Sequence, residues 1–503
     1  MSWLTAFTDK KIVVLGVGVT GLSCLRFLHA QNLSFAVNDS RAMPFASESE
    51  LVQYQIDFPN ATFVFGQWQQ ALIANADIII ASPGIDLVKE GISTLVGENC
   101  RVIGDIELFC LVNNTLANPM KMLAVTGSNG KSTVVSLLAY LANSLGFNVA
   151  LAGNIGEPIL DLLLDNDSSG TQNEQVDIVV VELSSFQLET LTSMRAIAAS
   201  VLNLSDDHLD RHKTMAVYQG LKQAIYSQAN IAVVNREDSA TKTLVKDQTV
   251  ISFGLNKPDT DQFGLSIVDA KPTLVFGEQV LIALDELPLA GMHNALNYMA
   301  ALALGYAAGW SLEAMTNNLP GFIGLAHRCQ RVASNDGIQW INDSKATNVG
   351  ATLAAISGLS PTIHLNNKLI LIAGGDGKGA DFSPLTTMLN AEVNQLITLG
   401  KDGGEIASLV NASSNSPIQV NTLAEAVEQA NALACHGDMV LLSPACASID
   451  MFKNYMVRGE QFMTSVTQLQ TAANVHKDAN AQTDSSAHKG FSAKKDTKEA
   501  SCR

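Results

Sequence analysis

The chain reads LAVTGSNGKSTVV from Leu123 to Val135, with a glycine-rich turn between two apolar runs. The usual phosphate-binding loop follows the pattern G-x-x-x-x-G-K-[ST], which would place its first glycine at position 125. Val125 stands there instead. A strand before the turn and a helix after it are the setting that such a loop needs, because backbone N–H groups at a helix start bind phosphate. The stretch therefore predicts a phosphate-binding loop with a shortened lead-in, and the alternative is a turn with an exposed lysine.

Each residue type in this loop suits a nucleoside triphosphate. Gly130 lets the chain turn toward the phosphates, and Lys131 supplies a point charge for the β- and γ-oxygens. Ser132 or Thr133 offers a hydroxyl to Mg²⁺, which prefers oxygen ligands.

A second glycine-rich turn, GVGVTG, occupies positions 16–21 between a predicted strand and a predicted helix. Asp39 ends the next predicted strand, as in a dinucleotide-binding fingerprint. Any nucleotide diphosphate would fit equally well, because the glycines only let the backbone approach a diphosphate at the helix start. Three interpretations therefore stand side by side: NAD(P) or FAD, another nucleotide, and helix–strand packing alone.

Charged side chains follow the apolar strands of the central region. Glu182 ends IVVVE, and a carboxylate at the carboxyl end of a parallel strand lies in the crevice where ligands bind. It suits Mg²⁺, or else it caps the next helix. His208 in LSDDHLDRH emerges near the same edge, as a metal or phosphate contact or as a surface histidine. Lys222, on the next predicted helix, reads by itself as a surface lysine.

Composition and charge limit the class of protein. A chain of 503 residues is too long to fold around a single hydrophobic core. Strands alternate with helices in three successive series, which predicts three doubly wound α/β units. The net charge of −17 argues against nucleic acid or an anionic membrane as main partner. The seven scattered cysteines include no C-x-x-C pair, which is typical of free thiols in a reducing compartment. With no secretory leader and no apolar run of roughly 18 residues, we expect a cytoplasmic protein without membrane insertion.

Motifs along the whole chain resemble those of the Mur ligases of peptidoglycan synthesis, in the same order. They are TGSNGKST (126–133), GNIG (153–156), ELSSFQLE (182–189), LSDDHLDRH (204–212), MHNALN (292–297), HRCQ (327–330), NDSKATN (342–348), GGDGKGADFSPL (374–385) and LLSPACASIDMFKNY (441–455). The resemblance runs from about residue 10 to about residue 465. It implies an α/β chain of three domains, in which a Rossmann-like N-terminal domain and a Rossmann-like C-terminal domain flank a central P-loop domain with a parallel sheet. We place a UDP-substrate domain at 1–117, an ATP-binding domain at 118–323, an amino-acid-binding domain at 324–470 and a disordered, hydrophilic tail at 471–503.

The resemblance implies an ATP-dependent amide ligase that works through an acyl phosphate. A D-N-P-R signature, common in the branch that adds meso-diaminopimelate, is missing from the sequence, which favours D-glutamate as the amino acid and UDP-N-acetylmuramoyl-L-alanine as its acceptor. The implied partners are small molecules only, with ATP and two Mg²⁺ ions, and we expect a monomer.

The resemblance also assigns residues to each ligand. The ATP set is Gly127, Ser128, Asn129, Gly130, Lys131, Ser132, Thr133, Asn294, Asn297, Arg328 and Asp343. The metal set is Ser132, Glu182, His208 and Lys222, with Lys222 carbamylated, and the catalytic set is Lys131, Glu182, His208 and Lys222. The UDP-substrate set is Val19, Thr20, Asp39, Ser40, Arg41, Ser82, Gly84 and Asn154. The D-glutamate set is Lys345, Thr347, Lys378, Ser448 and Tyr455. Ser40 and Tyr455 depart from the family pattern, which often has Thr and usually Phe at those positions.

Three other functions remain as alternatives. A ligase similar to folylpolyglutamate synthase would share the fold. An NAD-dependent oxidoreductase would use the first glycine-rich turn and carry an incidental P-loop. A regulatory P-loop ATPase would hydrolyse ATP without an amine acceptor.

Overall fold

The computed structural model describes residues 3–164, 176–289, 291–360, 363, 367–411 and 416–484. The chain forms two compact units. The first unit comprises Met1–Pro288 and Asn294–Phe322, and the second comprises Leu289–His293 and Ile323–Arg503.

The first unit begins with a five-stranded sheet in the order β3-β2-β1-β4-β5, in which every pair is parallel. Its strands are β1 Ile12–Leu15, β2 Phe35–Asp39, β3 Ala61–Phe65, β4 Ile78–Ala81 and β5 Arg101–Ile103. Its helices are α1 Val19–Ala30, α2 Glu48–Asp57, α3 Gln70–Ala74 and α4 Asp105–Asn113. The strand order reverses between β1 and β4, so the carboxyl ends of these two strands form the crevice where a ligand is expected in such a sheet.

The first unit also contains a nine-stranded sheet in the order β14-β13-β12-β11-β10-β9-β6-β8-β7. Its strands are β6 Lys121–Thr126, β7 Val149–Gly153, β8 Ile178–Glu182, β9 Ala196–Val201, β10 Ala229–Asn235, β11 Thr249–Phe253, β12 Phe263–Val268, β13 Lys271–Phe276 and β14 Gln279–Ala283. Its helices are α5 Lys131–Ser144, α6 Ser185–Leu188, α7 Leu209–His212, α8 Met215–Gln223, α9 Met292–Ala307 and α10 Leu312–Asn318. Because β6 lies between β8 and β9, the predicted P-loop leaves the sheet beside Glu182.

The central sheet is mainly parallel, as predicted, and also contains an antiparallel part. Strands β12, β13 and β14 form an antiparallel extension. Only Asp269 and Ala270 separate β12 from β13, and both have positive φ, as a tight hairpin turn requires. A link this short cannot hold the crossover that a parallel pair needs.

The second unit contains a six-stranded sheet in the order β15-β16-β20-β17-β18-β19. Its strands are β15 Gln330–Val332, β16 Gln339–Asn342, β17 Leu369–Ala373, β18 Gln395–Thr398, β19 Ile418–Gln419 and β20 Met439–Leu442. Its helices are α11 Val349–Leu359, α12 Leu385–Glu392, α13 Gly403–Ala407, α14 Leu423–Leu433 and α15 Tyr455–Asp484. The β15–β16 pair is antiparallel, and the other pairs are parallel. The tail that we predicted to be disordered begins inside α15, so its first part is helical; residues 485–503 lie outside the described residues.

One hydrophobic core runs through both sheets of the first unit. Its buried members include Ile12 and Val14 of β1 as well as Ala124 of β6 and Val181 of β8. The two predicted N-terminal domains therefore share a continuous core, while the third sheet has separate clusters that include Leu371 on one face and Ile372 on the other. The three mainly parallel sheets with their helices confirm the predicted α/β fold class. The predicted domain boundaries at residues 117 and 323 stay predictions.

Two further features concern the predictions of no membrane insertion and of free thiols. Within the described ranges, the helices are all too short or too polar to cross a membrane. Among the residues that the structure describes, Cys24, Cys100, Cys110, Cys329 and Cys446 are free thiols.

A buried carboxyl group lies at the start of α4 in the first unit. Asp105 is the first residue of α4 and is only 5% exposed. Its Oδ1 has no hydrogen-bond partner among the described residues. Burial raises the pKa of Asp105 from 3.8 to about 6, although backbone N–H groups at the start of the helix oppose the shift. An ionised Asp105 therefore costs the folded state free energy at neutral pH.

We expect Asp105→Asn to stabilise the protein at neutral pH. In the wild type, the unfolded chain loses this proton near pH 3.8 and the folded chain near pH 6, so stability falls as the pH rises through that window. The shift from 3.8 to about 6 corresponds to about 3 kcal/mol, which the variant should gain above pH 7 but not near pH 4. Chemical denaturation at both pH values measures the gain. Asp57→Asn, on the exposed side of α2, is the control; an equal shift at both pH values for Asp105→Asn would contradict the burial argument.

Candidate active site

The first glycine-rich turn leaves open space at the start of α1. Gly16 has φ +86°, and a methyl group on Gly21 would lie 1.9 Å from the Gly16 carbonyl oxygen, so packing and backbone conformation explain these two glycines. A methyl group on Gly18 would meet nothing within 4 Å. Val19 and Thr20, the first residues of α1, follow directly, and Val19 is 73% exposed. The open position at a helix start favours a bound diphosphate over packing alone.

Asp39 and Arg41 form a tight pair beside this turn. The Asp39 carboxylate accepts hydrogen bonds from Arg41 Nε at 2.9 Å, from Arg41 Nη2 at 2.7 Å and from Val17 N at 3.1 Å. Burial opposes ionisation of Asp39, but the hydrogen bonds from Arg41 and Val17 outweigh it and hold the pKa of Asp39 below its ordinary value. Asp39 therefore connects the glycine-rich turn to the exposed segment of Ser40 and Arg41.

Ser82 and Gly84 lie across the crevice from the first turn. Ser82 follows β4, and its backbone accepts a hydrogen bond from Ile85 N at 3.0 Å, which closes a tight turn around Pro83 and Gly84. The Ser82 hydroxyl contacts the Gly16 carbonyl oxygen at 3.5 Å. The structure therefore brings together the predicted UDP-substrate residues at the ends of β1, β2 and β4; Asn154 lies elsewhere, after β7.

The second glycine-rich turn explains the missing first glycine of the P-loop pattern. Strand β6 continues through Val125, which is fully buried, and only residues 127–130 separate the strand from α5. Gly127 and Gly130 have φ values of +146° and +82°. A methyl group on Gly130 would lie 2.5 Å from Asn297 Oδ1, so the position requires glycine. The loop lacks a glycine at position 125 because that position still belongs to strand β6.

Lys131 folds over the carbonyl groups of its own loop. Its Nζ donates to the carbonyl oxygens of Gly127 at 2.7 Å and Ser128 at 2.8 Å. The loop is also tied to the segment after β9, because Ser128 Oγ accepts from Ser205 N at 2.9 Å and Asn129 N donates to Asn203 Oδ1 at 2.8 Å. Ser132 and Thr133, in the first turn of α5, are buried.

Glu182 offers a carboxylate oxygen without a partner beside this loop. It ends β8, which pairs with β6, and it is 1% exposed. Oε1 accepts from Asn154 Nδ2 at 2.7 Å, whereas Oε2 has no hydrogen-bond partner in the described part of the chain. A cation would compensate such an oxygen, so the donor set fits Mg²⁺. Asn154, which we predicted to contact the UDP-substrate, here orients Glu182.

Lys222 is a fully buried lysine beside the same loop. It is 1% exposed, and its Nζ donates to Thr126 Oγ1 at 3.1 Å and to the Gly127 carbonyl oxygen at 3.0 Å. Burial lowers the pKa of Lys222 well below its ordinary value of 10.5, and the charge of Lys131 adds to the effect, while Asp207 and Glu182 oppose it. The reading of Lys222 as a surface lysine was wrong, since the side chain points from α8 into the interior.

His208 lies near this group with an unusual backbone. It precedes α7 with φ +53°, and its ring packs edge-on against Phe186, with ring centroids 4.8 Å apart. Its Nε2 lies 3.7 Å from Asp207 Oδ2. The described residues contain no group of three or more His, Cys, Asp or Glu side chains that could hold a metal ion without other ligands. Mg²⁺ commonly takes one or two carboxylates and completes its shell with phosphate oxygens and water.

Helix α9 brings two predicted nucleotide residues to the P-loop. Asn297 Nδ2 donates to Asn294 Oδ1 at 3.1 Å, and both residues are buried. Through its close approach to Gly130, Asn297 lies directly against the loop. The first unit therefore assembles the P-loop, Glu182, Lys222 and the two asparagines at one edge of the nine-stranded sheet.

The second unit assembles most of the predicted D-glutamate residues around α15. Lys345 Nζ lies 3.9 Å from the ring centroid of Tyr455, the first residue of α15. Thr347 N donates to the Lys345 carbonyl oxygen at 2.8 Å, and the buried Ser448 accepts from Phe452 N through its backbone at 2.7 Å. Lys378 is exposed on a turn with φ +54°, with its N–H bonded to Asp376.

Asp343 is buried at the end of β16 in the second unit. It accepts hydrogen bonds from Ser443 Oγ at 2.9 Å and from Cys329 N at 3.2 Å. Burial raises the pKa of Asp343 to about 6, although these hydrogen bonds and Arg328 oppose the shift. Asp343 therefore fixes the backbone next to Arg328, the other nucleotide residue predicted in this unit.

Arg458 is a residue that the motifs missed. It is 2% exposed, and it donates to Ser344 Oγ at 3.0 Å and to the Cys446 carbonyl oxygen at 3.1 Å. It thereby joins the loop before Lys345 to the loop before Ser448. The last motif ended at Tyr455, three residues before Arg458. The sequence signal that could have identified Arg458 was an arginine on an otherwise apolar face of α15.

Comparisons with known proteins identify the family of the chain. Three family profiles match in order: the Mur ligase MurD-like N-terminal domain at residues 10–104, the Mur ligase middle domain at 125–305 and the Mur ligase glutamate ligase domain at 327–446. The UDP-N-acetylmuramoylalanine–D-glutamate ligase of Colwellia psychrerythraea is 74% identical over 467 residues, which cover 93% of this chain and 98% of that protein. The enzyme of the same name from Shewanella violacea is 44% identical over 90% of this chain and 95% of its own.

Solved structures share the fold at much lower identity. The UDP-N-acetylmuramate–alanine ligase of Thermotoga maritima superposes with a TM-score of 0.56 at 17% identity, over 92% of this chain and 100% of that one. A pseudomurein peptide ligase of Methanothermus fervidus gives a TM-score of 0.55 at 18% identity, over 91% and 99% of the two chains. The matched profiles and the 74% identical relative show that the chain belongs to the Mur ligase family.

Proposed function

We propose that the protein is an ATP-dependent ligase that adds D-glutamate to UDP-N-acetylmuramoyl-L-alanine in the synthesis of peptidoglycan precursors. The observation that carries the proposal is the group of Lys131, Glu182 and Lys222 at the mouth of the nine-stranded sheet, in a chain 74% identical to a ligase of that name. The high coverage of both chains extends the likeness to all three sheets.

The reaction joins two anions and therefore needs cations and N–H donors. The alanyl carboxylate attacks the γ-phosphorus of ATP, ADP leaves, and an acyl phosphate forms. The amine of D-glutamate then attacks the acyl carbon, loses a proton, and releases phosphate as the amide bond forms. Preorganised positive charge lowers the barrier of such steps, because negative charge gathers on the phosphoryl and acyl oxygens.

We assign ATP to the second glycine-rich turn and its neighbours. In this assignment Lys131 leaves the loop carbonyls and binds the phosphates together with the backbone N–H groups in the first turn of α5, from Lys131 to Thr133. Gly127, Ser128, Asn129 and Gly130 complete the loop that surrounds the phosphates. We assign Asn294 and Asn297 of α9 to the nucleotide, and we keep Arg328 and Asp343 as proposed nucleotide residues. The buried asparagine pair beside Gly130 supports this assignment.

We assign two Mg²⁺ ions to this edge, the first to Ser132 and Glu182 and the second to His208 and a modified Lys222. Bound Mg²⁺ neutralises phosphate charge and makes the γ-phosphorus more electrophilic. The unpartnered Oε2 of Glu182, held in place by Asn154, supports the first site.

We further propose that Lys222 is carbamylated. Burial lowers the pKa of Lys222, which raises the fraction of its amine that is uncharged. The uncharged amine adds to the carbon of CO₂ and releases one proton to give an N-carboxylate. The product is an anion, which relieves the repulsion between Lys222 and Lys131 and supplies an oxygen ligand for a cation.

The other two substrates have separate sites in this proposal. The UDP-substrate binds at the first glycine-rich turn, with Val19, Thr20, Asp39, Ser40, Arg41, Ser82 and Gly84, and the open position at Gly18 supports a diphosphate there. D-Glutamate binds Lys345, Thr347, Lys378, Ser448 and Tyr455, where two lysines match its two carboxylates. We further propose that the protein is a monomer and acts in the cytoplasm, where nucleotide substrates are available.

The reaction itself tests the function. Purified protein with ATP, Mg²⁺, UDP-N-acetylmuramoyl-L-alanine and D-glutamate should release phosphate only when all four are present. Replacing D-glutamate by L-glutamate or meso-diaminopimelate should abolish the release, and equal rates with either would rule out the proposed activity. Turnover that depends on folate would favour the related folylpolyglutamate ligase, and nicotinamide cofactor binding without UDP-substrate binding would favour an oxidoreductase.

Lys131→Ala tests the separation of the two nucleotide sites. We expect ligation to be lost while the affinity for the UDP-substrate changes less than about twofold, because Lys131 interacts with phosphates only at the second turn. Calorimetry with each nucleotide measures the two affinities. Lys242→Ala, at an exposed lysine of the same unit, should change neither. Loss of both affinities in Lys131→Ala would overturn the assignment of separate sites.

Carbamylation is tested by NMR with ¹³C-labelled bicarbonate. We expect a carbamate resonance in the wild-type protein that disappears in Lys222→Ala and persists in Lys121→Met, since Lys121 is an exposed lysine at the start of β6. Because only an uncharged amine reacts with CO₂, the resonance should weaken as the pH is lowered. Identical spectra for the wild type and Lys222→Ala would remove the carbamate from the proposal.

A further inference from the structure

Arg211 bridges the two sheets of the first unit at a pocket. Its Nη1 donates to the Pro83 carbonyl oxygen at 3.0 Å, and its Nε donates to Glu189 Oε1 at 3.1 Å. Its guanidinium carbon lies 4.3 Å from the ring centroid of Phe186. The side chain is only 11% exposed, although it is charged. All four residues line one pocket, whose wall also includes Ser82, Ile85, Gln187 and Thr190.

The Pro83 side of this bridge is part of the proposed UDP-substrate site. Pro83 is the second residue of the turn that Ser82 and Ile85 close by a backbone hydrogen bond. Ser82 in turn contacts Gly16 in the first glycine-rich turn. The hydrogen bond from Arg211 to the Pro83 carbonyl oxygen therefore fixes the turn after β4 relative to the glycine-rich turn after β1.

The other side of the bridge reaches the proposed catalytic group. Arg211 is the third residue of α7, the helix that His208 precedes. The ring of Phe186 contacts both residues, with the guanidinium of Arg211 on its face and the His208 ring against it edge-on. Glu189 lies close to the end of α6, in the segment that starts at Glu182. A shift of Arg211 therefore moves the backbone that carries His208.

We propose that Arg211 is a positioning residue that joins the UDP-substrate turn to the helix of His208 and thereby sets the affinity for the UDP-linked substrate. A guanidinium suits this role because its planar fork donates to a carboxylate and a carbonyl oxygen at fixed angles, which a lysine ammonium cannot do in the same way. The inference rests on the proposed function, since it assigns the turn of Ser82 to the UDP-substrate.

The test compares Michaelis constants for the three substrates. In Arg211→Ala we expect the KM for the UDP-substrate to rise at least about tenfold, while the KM values for ATP and D-glutamate change less than about twofold. A merely structural role would lower the active fraction, and hence kcat, without this selective change. Arg211→Lys keeps a cation beside Glu189 but loses the fork, so it should raise the same KM by a smaller factor.

Arg26→Ala is the matched control. Arg26 on α1 also bridges the two sheets of the first unit, through hydrogen bonds to Asp161 in the segment after β7. It does not line the pocket at Pro83. Its removal should leave all three KM values within about twofold of the wild type.

Each outcome decides the inference. An unchanged KM for the UDP-substrate in either folded Arg211 variant, or an equal rise in all three KM values, would contradict it. If Arg211→Ala does not fold, Arg211→Lys decides alone, and calorimetry of the UDP-substrate without ATP gives the same comparison as a direct affinity. A wild-type protein that does not turn these substrates over would instead refute the proposed function.

Discussion

Two lysine amines share one carbonyl oxygen at the centre of this structure. Lys131 Nζ and Lys222 Nζ donate to the Gly127 carbonyl oxygen at 2.7 and 3.0 Å, one from the start of α5 and the other from α8. Two ammonium groups so close together repel each other strongly inside a protein, where water cannot screen them. Burial lowers the pKa of Lys222, and the charge of Lys131 lowers it further. The surrounding fold keeps this unfavourable pair together, and such cost is typical of a functional site.

Glu182 completes the arrangement without neutralising it. Its carboxylate lies at the end of the strand next to the loop and affects the pKa of Lys222, yet one of its oxygens is buried without a hydrogen-bond partner among the described residues. A structural ion pair would have paired that oxygen with a lysine. Asn154 instead holds the other oxygen, which leaves the carboxylate oriented and available to a cation. The lysines and this carboxylate oxygen thus make no hydrogen bond with each other at this edge of the nine-stranded sheet. Such an arrangement suits a site where phosphates and metal ions bind together.

The sequence predicted those parts of the fold that depend on short-range patterns. The strand, turn and helix around Gly16 and around Gly130 follow from apolar runs interrupted by glycines, and the three α/β layers follow from their repetition. The antiparallel extension from β12 to β14 was missed because its turn residues, Asp269 and Ala270, lack the usual glycine. Arg458 and the Asn154–Glu182 pair were missed because each depends on residues brought together from distant parts of the chain. Lys222 shows the limit most plainly, since its burial cannot be read from a helix that also carries exposed polar residues.

The two glycine-rich turns differ in a way that matches two kinds of phosphate chemistry. The turn at Gly18 is followed by the uncharged Val19 and Thr20, so a ligand there meets mainly backbone N–H groups, with Arg41 held nearby by Asp39. That arrangement can bind a diphosphate whose charge does not change during the reaction. The turn at Gly130 is followed by Lys131 and lies beside Glu182, which is what a transferred phosphoryl group requires, because its charge moves from one oxygen to another and must be stabilised throughout. In the proposed function, the same strand–turn–helix unit holds a ligand at one sheet and takes part in the reaction at the next, and the side chains around each turn account for the difference.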